Sequence, residues 1–224
     1  MPATADQRIE STRGDLGTGV YSLAQLRLYM ALYGNPDDGN RTSRWLRTAL
    51  NPVEHLRWQA DYSFSDLVSL FVVRQLRDKG VKPRTIKQAE RYLSAKWKTD
   101  RPFAREEIKT DGVEVFCDDD PEAGQIEAAG QQGQQALRQA IANGLESVYY
   151  SDGGAAYWLP APGIVVDPRV QFGSPVMTGT RVPTDAVSGV ARVMGIEQAV
   201  RRFDLSVDQV ENAIAFEDRL ATLN

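Results

Sequence analysis

The stretch Ile164-Val165-Val166-Asp167-Pro168-Arg169-Val170-Gln171-Phe172-Gly173-Ser174-Pro175-Val176-Met177-Thr178-Gly179-Thr180-Arg181-Val182-Pro183-Thr184 organises the rest of the chain. A β-branched run opens it and a proline beside a helix start closes it. That order reads as a buried strand, a folded arm and then a helix. Gly173, Gly179, Pro168 and Pro175 force several turns into a short space. Gly179-Thr180-Arg181 presents a guanidinium just ahead of the C-terminal helices, and a planar fork on a rigid turn matches a phosphate or a carboxylate through two parallel hydrogen bonds. The competing expectation is a structural arm that staples the C-terminal helices to a neighbour, with Arg181 the residue in question.

Working outward, three short helices follow the arm. Thr184 to Met194 carries Val187, Val190, Ala191 and Met194 on one face, with Gly195 as its stop. Ile196 to Phe203 lines up Ile196, Ala199, Val200 and Phe203. The third helix opens at Ser206-Val207-Asp208-Gln209, a Ser-x-x-Gln capping box, and continues through Val210, Ala213, Ile214 and Leu220. Upstream of the arm, Val148-Tyr149-Tyr150 and Ala155-Ala156-Tyr157-Trp158-Leu159 flank Ser151-Asp152-Gly153-Gly154, a turn composition that tolerates positive φ. With strands expected at Val113 and Ile164, the hairpin completes a small antiparallel sheet. A helix from Gln135 to Ala142 precedes it, burying Leu137 and Ile141, and the Gly-, Ala- and Gln-rich stretch before that is expected to be irregular.

The N-terminal half reads as helices. Ser22 caps a first one running to Leu32, with Tyr33-Gly34 as its stop. Asn35-Pro36-Asp37-Asp38-Gly39-Asn40 is a turn by composition, and a second helix spans Thr42 to Leu50. Arg41, Arg44 and Arg47 recur every third residue there, so they share one face, while Trp45 and Leu46 are left to face the first helix. After a connecting, wing-like segment from Val53 to Asp61, the helix begun by Tyr62-Ser63-Phe64-Ser65-Asp66 runs to Lys79 with Phe64, Leu67, Val68, Phe71, Val72 and Leu76 as its apolar line. A fourth, Pro83 to Trp97, buries Ile86, Ala89, Leu93 and Trp97 and shows Arg84, Lys87, Arg91 and Lys98 on another face.

Charge is distributed unevenly over these parts. The formal net charge is −4, yet residues 21–105 hold 16 Lys and Arg against 8 Asp and Glu, and residues 106–163 hold 2 against 11. A basic lobe suits a polyanion, and the acidic one suits a protein partner. The basic helices are therefore expected to bind double-stranded DNA through Arg41, Thr42, Ser43, Arg44 and Arg47, with Lys82, Arg84, Lys87 and Arg91 on the phosphates. The alternative for the same residues is a solvated basic face on a packing helix.

The whole-chain features bound the rest. Hydrophobic residues make up 42% of 224 and charged ones 25%, enough for a core in one large or two small domains. No apolar run reaches the roughly 18 residues of a membrane span. Residues 1–20 read as a disordered tail, unlike a signal peptide. One cysteine, Cys117, fits a reducing cytoplasm. His55 is the one histidine, which leaves no His-based triad or zinc site. Neither a phosphate loop nor a nucleophile elbow is present, so no enzymatic activity and no cofactor are expected.

Asp167-Pro168-Arg169, Gly173-x-Pro175, Gly179-Thr180-Arg181-Val182-Pro183-Thr184 and Ala213-Ile214-Ala215-Phe216-Glu217 together resemble a bacterial helix-turn-helix family, the domain of unknown function four-three-three, or VapB-like antitoxins. The resemblance covers about residues 160–222. It implies the antidote half of a toxin–antitoxin pair whose partner is a PIN-like ribonuclease that holds Mg²⁺ with clustered carboxylates. Within that implied role, Arg169 and Arg181 are the candidate toxin contacts, against the alternative that both pair internally with Asp185 or Glu217. The order of two short helices, a wing and two longer helices also resembles MerR-type regulators, without their ligand cysteines or long dimer helix. The expectation is thus an α+β, mostly helical protein. It has a MerR-like winged helix-turn-helix over 21–105, an acidic β-hairpin segment over 106–163 and a three-helix bundle over 164–224. It would work as a homodimeric antitoxin joined through the β segment and C-terminal helices, repressing its own operator. The alternative is a stand-alone MerR-like regulator with a small effector bound among Tyr149, Tyr150, Tyr157 and Trp158.

Overall fold

Each of the first four helices starts at a signal spelled in the sequence. The computed structural model describes residues 20–49, 62–110 and 131–223. Helix α1, Leu23–Tyr33, begins at a reciprocal box in which Gln25 N donates to Ser22 Oγ (3.2 Å) and Ser22 N to Gln25 Oε1 (2.8 Å). Helix α3, Phe64–Asp78, repeats the device with Ser63 and Asp66. Helix α4, Pro83–Trp97, carries its proline where the missing N–H costs nothing and ends on Lys98 in the left-handed region (φ 52).

Helix α2, Pro36–Ala49, corrects the expected turn over 35–40: that composition is a helix start. Asp37 N donates to Asn35 Oδ1 (3.1 Å) and Asn35 N to Asp38 Oδ2 (3.2 Å), so Asn35 is the cap and Pro36 the first helical residue. The Asp38 carboxylate is fully buried and is held by Arg74 Nε at 2.6 Å. Only Gly34 and Asn35 separate α1 from α2.

The core centres on α3. Leu70 and Val73 are as buried as the expected line of Phe64, Leu67, Val68, Phe71, Val72 and Leu76. An α-helix apolar on every side belongs in the middle of a fold, not on its surface. Helix α5, Gln131–Gly144, packs against it and buries Leu137 and Ile141 as expected, one turn longer than expected at its start. The sheet is an antiparallel meander of β1 Val148–Ser151, β2 Gly154–Ala161, β3 Ile164–Val166 and β4 Pro175–Met177, paired in that order. Asp152 (φ 53) and Gly153 (φ 76) turn the β1–β2 hairpin, as the sequence requires of a two-residue connection. Strand β4 was not expected; it forms because Val165 pairs with Val176 across the arm. Trp158 on β2 points inward, edge-on to Tyr29 and Tyr33 and 5.0 Å from Phe71, and its indole N–H donates to Ser147 Oγ (3.1 Å).

The C-terminal helices are α6 Thr184–Met194, α7 Ile196–Phe203 and α8 Val207–Leu223. Ser206 and Gln209 make the expected box, at 3.2 and 2.8 Å. Met194 is the exception to the expected face: it ends α6 where Gly195 (φ 91) reverses the chain, and it is 56% exposed. Helix α8 lies on α1, and Arg219 Nη2 reaches across to the Leu32 carbonyl (3.0 Å). Buried residues from Tyr21 to Phe216 form one hydrophobic cluster spanning all three expected segments. The architecture is α+β and mostly helical with a small antiparallel sheet. Among the described residues no helix is long and apolar enough to cross a membrane. The expected wing and the Val113 strand, and all but the last residue of the expected tail, lie outside the described residues.

Candidate functional site

The expected DNA contacts fall on α2 and α4, which pack on each other. Trp45 and Leu46 turn into the core, so the i, i+3 pair Arg41 and Arg44 faces solvent. Thr42 is a correction: it is fully buried, and its hydroxyl donates to the Asp38 carbonyl (2.9 Å), because it follows Asp38 by one helical turn on the core side. Ser43 is half-buried, and its Oγ accepts from Arg27 Nη2 (2.7 Å). Arg47 lies on α2, its side chain outside the described set. On α4, Ile86, Ala89 and Leu93 bury one line, leaving Arg84 and Arg91 exposed, Lys87 half-buried and Lys82 exposed at the cap. Two packed helices thus share a cationic exterior, with Arg41 tempered by Asp38 at 3.7 Å.

The arm treats its two arginines differently. Arg169 donates from Nε to Asp167 Oδ1 (2.9 Å) and from Nη2 to Oδ2 (2.7 Å), a two-point clamp closed by Pro168 between them. Burial pulls the Asp167 carboxyl up, but these bonds outweigh it and hold it below the usual carboxylate range. Arg181 is exposed, and its side chain has no hydrogen bond or ion pair with the described residues. The expected internal partners are elsewhere: the Glu217 carboxylate accepts from Thr184 Oγ1 (2.5 Å), and Asp185 accepts from the Ala186 amide (2.7 Å).

The turn beneath Arg181 is stitched shut. Met177 N donates to the Val182 carbonyl (2.9 Å), Thr180 N and Oγ1 both donate to the Met177 carbonyl, and Val182 N donates to Thr180 Oγ1 (3.0 Å). Gly179 sits at φ 79, and a Cβ added there would meet nothing within 4 Å, so its need is conformational alone. The guanidinium is therefore presented on a backbone that has little freedom left to lose on binding.

Two hollows flank these elements. One of about 860 Å³ opens where α1, α3, α5 and β2 meet; Tyr149 and Trp158 line it with Asp78, Lys79 and Glu146. The Tyr33 hydroxyl there donates to the Gly144 carbonyl and accepts from Gln75 Nε2 (3.0 Å). Tyr150 and Tyr157, expected to join an effector pocket, do not line it. Tyr157 instead stacks on Tyr149 at 4.7 Å. The second hollow, about 310 Å³, lies between α1, the arm and α8, and holds Asp185 and Glu217. Sequence reading reached Tyr149 and Trp158 of the first but none of its other walls, and missed the second, since the walls come from segments far apart in the chain. It also missed Phe172, 78% exposed on the arm, whose one local signal is the glycine that follows it.

No curated protein matches the chain. The crystal structure of Rv2018 from Mycobacterium tuberculosis is similar in fold, with a TM-score of 0.61 and 22% identity over 87% of this chain and 96% of that one. Over residues 164–216, from β3 through most of α8, the chain matches the family described as Protein of unknown function (DUF433).

Proposed function

We propose that this protein is the antidote of a toxin–antitoxin pair, a VapB-like antitoxin that binds operator DNA as a homodimer and blocks a PIN-like ribonuclease. The observation that carries the reading is Arg181, an exposed guanidinium without a partner among the described residues, on a turn closed by four hydrogen bonds. A metal-binding carboxylate cluster is what such a fork fits, and one that is preorganised loses less entropy on binding. Arg169 is the poorer contact, because its fork is already spent on Asp167. The DNA half is supported by the cationic exterior of α2 and α4, with Arg41 and Arg44 toward bases and Lys82, Arg84, Lys87 and Arg91 toward phosphates. A MerR-like use of these helices belongs to the same proposal.

Co-expression with the PIN-like ribonuclease of the neighbouring reading frame tests the toxin half. The parent and Arg169→Ala should restore growth, and Arg181→Ala should not while remaining folded and DNA-bound. Inhibition by Arg181→Ala equal to the parent's sinks the assignment. For DNA, Lys87→Ala should weaken all sequences alike and lower the salt slope by about one unit in a mobility-shift titration. A second reading, an effector-sensing regulator, is favoured by the 860 Å³ hollow beside Tyr149 and Trp158. A small-molecule screen by thermal shift, with Tyr149→Ala as control, tests it.

A further inference from the structure

Three consecutive arm residues hold positive φ: Gln171 (48), Phe172 (55) and Gly173 (86). Glycine does this freely, but two L-residues in the left-handed region are strained, and the strain persists only where surrounding bonds over-determine it. They do here. Val20 N donates to the Phe172 carbonyl (3.2 Å), Gly173 N to Val170 O (2.9 Å), Ser174 N to Gln171 O (3.1 Å) and Gln171 Nε2 to Arg181 O (3.3 Å). The outcome is a phenyl ring 78% in solvent, the most exposed aromatic among the described residues. Holding an aromatic in water by a strained backbone gives the isolated chain nothing. The last of those bonds also ties the loop of Phe172 to the turn that carries Arg181, whose guanidinium has no partner among the described residues, and aromatic residues and arginine are enriched at protein interfaces.

Their complement is on the same face. The 310 Å³ hollow is walled by Leu28, Pro175 and Leu220 and holds Asp185 and Glu217, and Gln171 itself is one of its walls. Neither carboxylate meets a cation among the described residues. Because Gln171 belongs to both features, knob and hollow are contiguous and the knob cannot enter its own hollow. A two-fold axis through such a face places each knob in the other copy's hollow, which is the self-complementarity that an isologous dimer requires.

We propose that two copies of this chain associate through that face, Phe172 of each entering the apolar part of the other's hollow and Arg181 pairing with Asp185 and Glu217 of the second copy. This face is the interface of the homodimer proposed above and rests on that reading. Arg181 cannot pair with a second copy and with a ribonuclease's carboxylates at once, so the two contacts are alternatives, and a ribonuclease would take Arg181 only where this face has opened. It also moves the contact from the expected hairpin to the arm and the α1–α8 groove.

Sedimentation velocity on the full chain tests it. The parent should be a dimer at micromolar concentration, and Phe172→Ala should raise the dissociation constant at least tenfold. Arg181→Glu and Asp185→Arg, both at exposed positions, should each be monomeric alone, since each homodimer would juxtapose like charges. Mixed one to one they should form a heterodimer, because both reciprocal contacts then join opposite charges. Pairing of Arg181 with Asp185 inside one chain, or misfolding of either variant, cannot produce that rescue. A parent that stays monomeric overturns both the interface and the homodimer. A parent dimer unaffected by the three substitutions overturns the interface alone, and monomeric variants that fail to rescue each other overturn the reciprocal pairing.

Discussion

Tyr21→Phe should stabilise this protein, and Gly173→Ala should destabilise it for the same local reason. Tyr21 is 1% exposed, and its hydroxyl is buried with no hydrogen-bond partner among the described residues. It presses on Gly173, where an added Cβ would lie 2.0 Å from Oη and 2.6 Å from Cζ. Burial pushes the phenol far above its ordinary range, with Tyr29 and Asp167 adding to the shift, so the group is neutral at any working pH. Removing an unsatisfied buried hydroxyl returns about 1–3 kcal/mol, and the void of one oxygen takes back less than about 0.5 kcal/mol. A net gain near 1 kcal/mol is worth roughly 2–4 °C for a chain of this length. Gly173→Ala costs about 1–2 kcal/mol for an L-residue at φ 86, and overpacking against a ring wedged edge-on to Tyr29 adds about 1–3 kcal/mol. Urea unfolding of both single variants and the double closes the cycle. The double should be less damaged than the sum by about 1 kcal/mol or more, since Oη is the nearest clashing atom. Destabilisation by Tyr21→Phe above about 1 kcal/mol would mean that the hydroxyl has a partner, and an unharmed Gly173→Ala would mean that the arm is not held against Tyr21 as described.

Three further outcomes are expected. Arg74→Met leaves the Asp38 carboxylate buried without its guanidinium, and should cost about 3–5 kcal/mol in the same assay; Asp38→Asn in that background should recover part of it. Glu90 is 4% exposed, its Oε2 has no hydrogen-bond partner among the described residues, and burial raises its pKa above the ordinary 4.5, only partly offset by Arg101, Arg91 and Lys87. The native state then holds the proton more tightly than the unfolded one, so Glu90 contributes stability below pH 4.5 that is lost as pH rises through the raised value. Glu90→Gln should flatten that limb of the stability profile, and an unchanged slope would refute the assignment. Asp152→Ala places a less tolerant residue at φ 53 in the β1–β2 turn, and should cost about 0.5–1 kcal/mol by thermal unfolding without changing oligomeric state.

Local chemistry by itself determined the helix starts and the hairpin. Ser22, Ser63 and Ser206 sit three residues before a side chain that can bond back, so those boxes need nothing beyond their own segment. Asp152-Gly153 likewise decides its turn alone. The i, i+3 exposure of Arg41 and Arg44 followed from Trp45 and Leu46 having to be inside. Composition misled over 35–40, where the residues that favour a turn are also those that cap and open a helix, and only the Arg74–Asp38 contact from α3 shows which use prevails. Bonds local to the arm, which composition does not rank, separate its two arginines: Asp167 clamps one two residues on, while four backbone and hydroxyl bonds within residues 177–182 close the turn of the other, which has no partner among the described residues. Tertiary structure alone decided what lies around them. Exposure of Phe172 and the hollow of Asp185 and Glu217 depend on α1, the arm and α8 meeting, although more than 130 residues lie between α1 and the arm. Periodicity reports which face of a segment is apolar; which segments share a wall, and which charges then find each other, is set by packing between distant parts of the chain.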